Sequence, residues 1–149
     1  MGHRRLAREI AVHALYEIAQ SDAEASRALR SNLERRDAGD TTREYAARLL
    51  REIEAHRPDV TQRISGTLEN WTLERVALVE RCVLEVGTVE ILYFPDVPPS
   101  VVIDEAVDIA RKFSSEESGA FVNGVLDRIA RDAAPEGHAA GADSAEAES

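Results

Sequence analysis

Val97-Pro98-Pro99-Ser100-Val101-Val102-Ile103-Asp104-Glu105-Ala106-Val107, continued by Phe121-Val122-Asn123-Gly124-Val125-Leu126-Asp127, is the stretch whose reading decides the fold. Two prolines before Ser100 stop whatever precedes them, because proline lacks an N–H and disfavours helix just upstream. Ile103, Ala106, Val107, Ala110 and Phe113 then recur at helical spacing. So do Phe121, Val122, Val125, Leu126 and Ile129. Between the two runs, Ser114-Ser115-Glu116-Glu117 has the S-x-x-E form of a capping box. It predicts Ser114 as the cap of the second helix, with Glu117 reaching back. The result is a helical hairpin with two fixed apolar faces. Gly124 inside its second helix costs about 1 kcal/mol, and close helix packing is the expected return. Phe121 is open to two readings, packing or an exposed contact.

Upstream of the prolines, Val76, Val79, Val83, Gly87, Glu90 and Ile91 lie along one side of a stretch. Leu78, Cys82, Val86, Val89 and Tyr93 lie along another. A helix apolar on nearly all sides is a central one wrapped by others. Cys82 falls inside this pattern and reads as a small core residue. Nearer the N-terminus, a first helix runs from about Arg4 to Ile18, with Ala7, Ile10, Ala11, Ala14, Leu15 and Ile18 inward. Ser21-Asp22 closes it. A second covers about Glu24 to Arg36, and Asp37-Ala38-Gly39-Asp40 is a turn. Thr41 or Thr42 caps a third, which reaches about His56. A short fourth spans Asp59 to Leu68, followed by Trp71 and by Thr72 as a cap. No alternation of strand type occurs. The fold class is all-α with about seven helices.

The folded part is read as residues 1–131 and the remainder, 132–149, as a disordered acidic tail. That tail holds five acids and no Lys or Arg, with much Ala and Gly, and cannot bury enough apolar area to order itself. The whole chain is anionic, with 28 acids against 18 bases. This argues against coating of nucleic acid by a uniformly basic surface but leaves room for a local patch. Seventeen of the bases are arginine and only Lys112 is lysine. Background composition explains this, and so does the fork geometry by which arginine holds phosphates. One cysteine forms no internal disulfide. No leader and no membrane span is legible, since Glu80, Arg81, Glu85 and Glu90 interrupt the most apolar stretch. A reducing, cytoplasmic location is expected.

Arg4, Arg5 and Arg8 fall in the first turns of helix one, with His13 and Tyr16 on the same side. No acid precedes Glu9. Helix N-termini disfavour positive charge, so these arginines should cost stability. Two explanations stand side by side, a binding surface and a solvated arm. The chemistry of catalysis is missing. There is no glycine-rich phosphate loop, no Cys/His pair at metal spacing and no nucleophile elbow. Asp104 and Asp108 read as surface partners of Arg111 and Lys112. No enzyme activity and no cofactor is expected.

Three stretches resemble the NusB family of bacterial transcription antitermination factors. They are Arg4-Arg5-Leu6-Ala7-Arg8-Glu9-Ile10-Ala11-Val12-His13-Ala14-Leu15-Tyr16, then Val79 to Leu92, and the hairpin quoted above. Residues 24–70 match only in helical pattern. The resemblance implies two packed three-helix sub-bundles and a linking helix, without catalysis. It also implies binding of boxA-type single-stranded RNA from ribosomal RNA leaders. A small-subunit ribosomal protein acting as NusE binds alongside, and the assembly joins an RNA polymerase antitermination complex. Carried over by position, Arg4, Arg5, Arg8, His13 and Tyr16 belong to the RNA surface, as do Ser118, Phe121 and Asn123. Glu74 and Glu80 belong near the basic ribosomal partner.

This chain departs from the family at Leu6, Glu85 and Ala120, each of which removes a positive charge. The departures favour an alternative, a helical adaptor that meets its protein partner and hardly binds RNA alone. A third reading, the module that fronts some ribosomal RNA methyltransferases, calls for a following cofactor domain. A fourth is a homodimer that hides the arginines until the partner arrives.

Overall fold

The computed structural model describes residues 2–69 and 72–134. Trp71 lies outside the described residues, and so does the expected tail from residue 135 onward. Among the described residues there are seven α-helices and no strand. They are α1 (Gly2–Ser21), α2 (Ala25–Arg35), α3 (Asp40–Ala55), α4 (Arg57–Thr67), α5 (Leu78–Tyr93), α6 (Pro99–Phe113) and α7 (Glu116–Ala133). A single 3₁₀ turn, Leu73–Arg75, precedes α5.

The helices sort into two groups of three. In one, α1 packs on both α2 and α3; in the other, α5, α6 and α7 pack on one another. The linking helix α4 lies against α5 and α7. The two groups meet where α1 and α3 press on α5. This explains the apolar pattern of α5: every residue from Cys82 to Glu90 is buried. The hydrophobic effect sets this arrangement, because each amphipathic helix has one stripe to remove from water. Ile10, Leu49, Leu84, Ile109 and Leu126 are all within 1% of full burial. Cys82 is buried among them, and burial pushes its thiol up to about 12.

Helix ends differ from the expected ones in instructive ways. Ser115, not Ser114, caps α7: its hydroxyl accepts the Ser118 backbone N–H at 3.1 Å. Ser114 is occupied in ending α6, and its hydroxyl turns instead to the Ser118 hydroxyl, 2.8 Å away. Glu117 makes no reciprocal bond there. Helix α3 starts one residue before Thr41, with Gly39 in the cap position and Thr42 buried in the first turn. Pro58 falls in the first turn of α4 rather than ahead of it, where its missing N–H costs nothing. Asp22 and Asp37 close α1 and α2 in the left-handed region, at φ 56° and 51°. Aspartate tolerates that region better than most residues.

The close approach expected at Gly124 occurs elsewhere. Gly124 is exposed, with open space where a Cβ would sit. A Cβ on Gly87 would lie 2.7 Å from Leu126 Cδ1, so this glycine lets α7 settle onto α5. Gly119 similarly leaves room for the Arg111 side chain, whose Cγ would be 2.9 Å from a Cβ there.

Candidate nucleic-acid interface

The arginine-bearing face of α1 lies along α6 and the end of α5. Residues 5, 9 and 13 are spaced four apart, so they rise on one side of the helix. Arg5 donates through Nε to Glu105 at 2.6 Å and through Nη2 to Asp108 at 2.8 Å. Arg8 forms a two-pronged pair with Glu90, at 2.7 and 2.9 Å. The Tyr45 hydroxyl donates to the same Glu90 carboxylate. Burial and that carboxylate push the Tyr45 phenol up, so it stays a donor. Arg4 reaches Asp96 at 3.2 Å and lies over the Tyr45 ring.

The arginines of the first turns therefore do not simply strain the helix, as the sequence suggests. Each meets a carboxylate contributed by the second half of the chain. Arg8 departs furthest from its expected role. It is 3% exposed, and Glu90 and Glu105 take its guanidinium, so it does not present itself to a phosphate. Arg5 keeps about a quarter of its side chain exposed, and Arg4 is exposed.

One and two turns further along α1, Glu9 and His13 continue the row. Glu9 is buried and accepts from Arg36 Nη2 at 3.0 Å and from Lys112 Nζ at 3.2 Å. The His13 ring stacks on Phe113 with centroids 4.5 Å apart. Burial pushes His13 below the ordinary imidazole value, and the charge of Arg36 adds to this. His13 is thus a neutral, half-buried ring at neutral pH. Tyr16 is half-buried and rests on the core.

At the start of α7 the structure brings together residues that were expected to serve different partners. Ser118 is buried, and its hydroxyl donates to Glu80 on α5. Phe121 is half-buried against the core, while Ala120 and Asn123 are exposed. Glu74 stands exposed in the 3₁₀ turn and makes no ion pair among the described residues. Glu85 is not an open negative charge on this face. It is buried beside Arg57, which donates to it at 3.2 Å, and burial pushes its carboxyl up.

Sequence reasoning paired Asp108 with Arg111, and the structure keeps that contact at 3.5 Å. It missed Glu105, Glu90 and Tyr45 as the carboxylates and phenol that organise the arginines. It also missed Arg36 and Lys112 as cations beside His13. A charge inside the apolar run of α5 was the available signal for Glu90. No local signal marked Arg36.

The NusB family model matches residues 5–131. The transcription antitermination protein NusB of Myxococcus xanthus is 39% identical over 134 residues, covering 87% of this chain and 96% of that protein. Its Geobacter sulfurreducens counterpart is 38% identical over 131 residues, covering 87% and 95%. A shorter match to the NusB of Methylacidiphilum infernorum, 46% identical over 90 residues, spans 63% of that protein. Among solved structures, T. maritima NusB superposes with a TM-score of 0.82 at 37% identity, covering 89% of this chain and 94% of that one. A chain from a crystal structure of antitermination factors NusB and NusE in complex with dsRNA also gives 0.82, at 27% identity, covering 89% and 98%. A fold of two three-helix groups with this polar row along α1, matched over nearly its whole described length, makes the chain a member of the NusB family.

Proposed function

We propose that this protein is a transcription antitermination factor. It binds boxA-type single-stranded RNA of ribosomal RNA leaders together with a small-subunit ribosomal protein acting as NusE. The joint complex then enters an RNA polymerase antitermination assembly in the cytoplasm. The observation that carries this reading is the likeness, over 89% of the chain, to a chain from a crystal structure of NusB and NusE in complex with dsRNA.

In this reading Arg4 and Arg5 hold the RNA backbone, and Tyr16 and Phe121 offer ring faces to unpaired bases. Sequence-specific RNA recognition usually targets single strands, and stacking is its common device. His13 and Asn123 supply polar contacts. Arg8 and Ser118 are too buried to reach far and act by fixing their neighbours. Glu74 and Glu80 face the basic ribosomal protein. Removing one stacking ring costs about 1–3 kcal/mol. With the two phosphate contacts of Arg4 and Arg5, log affinity falls with log salt at a slope of roughly −1.4.

Arg5 is already held by Glu105 and Asp108. That engagement favours a joint surface, on which the ribosomal partner raises RNA affinity sharply, over RNA binding by this chain alone. The deciding experiment titrates a boxA-like RNA with and without the ribosomal protein, comparing the native chain with Arg5→Ala. Partner-dependent binding weakened by the substitution supports the reading. Absence of RNA binding in the presence of partner refutes it.

A further inference from the structure

We infer that Arg36 and Lys112, drawn together by the buried carboxylate of Glu9, form a separate clamp for a phosphodiester of the RNA backbone, beside the His13–Phe113 stack. This inference rests on the RNA-binding reading above and extends it to two residues that the family resemblance does not supply.

Arg36 ends α2 and Lys112 lies in the last turn of α6, yet both reach Glu9 on α1, at 3.0 and 3.2 Å. Two cations therefore share one buried acid, and the group carries a surplus positive charge. Both cations remain open to solvent: a third of the Arg36 side chain and about half of Lys112 are exposed, whereas Glu9 is 3% exposed. Arg36 uses only Nη2 on Glu9 and makes no side-chain hydrogen bond through Nε or Nη1 among the described residues. Those donors and the third proton of Lys112 remain for an anion. The nearby acid Glu17 accepts from the Asn32 amide at 2.6 Å and sets its charge against Arg35, 3.9 Å away, rather than against Arg36 or Lys112.

Glu9 sits one helical turn from Arg5, about 6 Å along the axis. A strand whose backbone is held at Arg4 and Arg5 would pass this pair next. An exposed pair of cations preorganised by a buried acid suits phosphate, because the side-chain entropy is already spent.

Lys112 is the only lysine in the chain, which gives the test a clean chemical handle. Lys112→Gln, Arg36→Gln and Lys112→Arg are compared with the native chain for binding of boxA-like RNA in the presence of the ribosomal protein. In parallel, acylation of the Lys112 amine by an N-hydroxysuccinimide ester is followed by mass spectrometry. Each Gln variant should weaken binding by roughly two- to five-fold, as an exposed ion pair does. Each should also make the salt slope shallower by about 0.7, while Lys112→Arg keeps both near native. RNA should slow acylation of Lys112, and the ribosomal protein alone should not.

If the native chain binds RNA but the Gln variants match it in affinity and slope, the clamp is wrong and the wider reading stands. Protection of Lys112 by the ribosomal protein without RNA overturns the clamp as well and makes this patch a protein contact. If the native chain binds no RNA even with its partner, the wider reading itself fails. Helical circular dichroism and melting of each variant separate lost contacts from lost fold.

Discussion

Arg8 and Glu90, 82 residues apart in sequence, close a two-pronged ion pair in the interior, with side-chain exposures of 4% and 1%. Arg8→Met should therefore destabilise the protein by about 3–5 kcal/mol, because it strands a buried charge. Adding Glu90→Gln should recover much of that loss, since the uncompensated carboxylate, not the missing attraction, is the larger cost. Urea unfolding of the two variants measures both numbers. A double variant as unstable as the single one would contradict the argument.

Gly87 and Gly124 should respond to alanine in opposite directions. At Gly124 the added methyl meets nothing, so Gly124→Ala should stabilise by up to about 1 kcal/mol through helix propensity. At Gly87 it presses on the terminal methyls of Leu126, which is fully buried and must shift within the packed core. Overpacking there should cost about 1–3 kcal/mol, more than the propensity gain returns. Thermal melts of the two variants give the comparison.

Stability should fall on acidification through the titration of His13. Its folded value lies below the ordinary imidazole value near 6.5, so the unfolded chain takes up the proton first. The contribution is complete above about pH 6.5 and is lost as pH drops from there toward the lower, folded value. His13→Gln should flatten the pH dependence of the melting temperature across this window. NMR titration of the imidazole signals locates the value directly.

Glu85 should behave in the opposite sense. Burial raises its carboxyl against the pull of Arg57 and Arg81, so the unfolded chain releases its proton at lower pH than the folded one does. Stability from this group is greatest below about pH 4.3 and declines as pH rises through the folded value. Glu85→Gln should raise the melting temperature at neutral pH and lose that advantage in acid. A neutral-pH melting point below that of the native chain would count against the burial argument.

The helices and their inward faces were legible because amphipathic spacing is local. Leu49, Ile53, Val83 and Leu126 each announce themselves within one turn. The continuous burial from Cys82 to Glu90 followed from a stretch apolar on nearly all sides. What the sequence concealed was pairing between distant turns. Nothing near Arg8 points to Glu90, and nothing near Glu9 points to both Arg36 and Lys112. Four-residue periodicity describes one helix at a time, whereas these contacts depend on how α1 lies against α5 and α6. The same limit explains Gly124 and Gly87. Both interrupt helices, and only packing tells which one faces a neighbour. The cap of α7 slipped by one residue because Ser114 spells the S-x-x-E motif with Glu117, whereas the serine beside it, three residues before Ser118, is the one that takes the backbone N–H.

The polar row along α1 has a consequence for biosynthesis. Arg5 and Arg8 leave the ribosome among the first residues, yet their acidic partners Glu105, Asp108 and Glu90 follow 82 to 103 positions later. At about 5–20 residues per second, α1 waits roughly 5–20 s for the acids that neutralise it. Through that interval the nascent chain carries an unpaired cationic helix, and the N-terminal three-helix group completes its charge balance only once α5 and α6 have emerged.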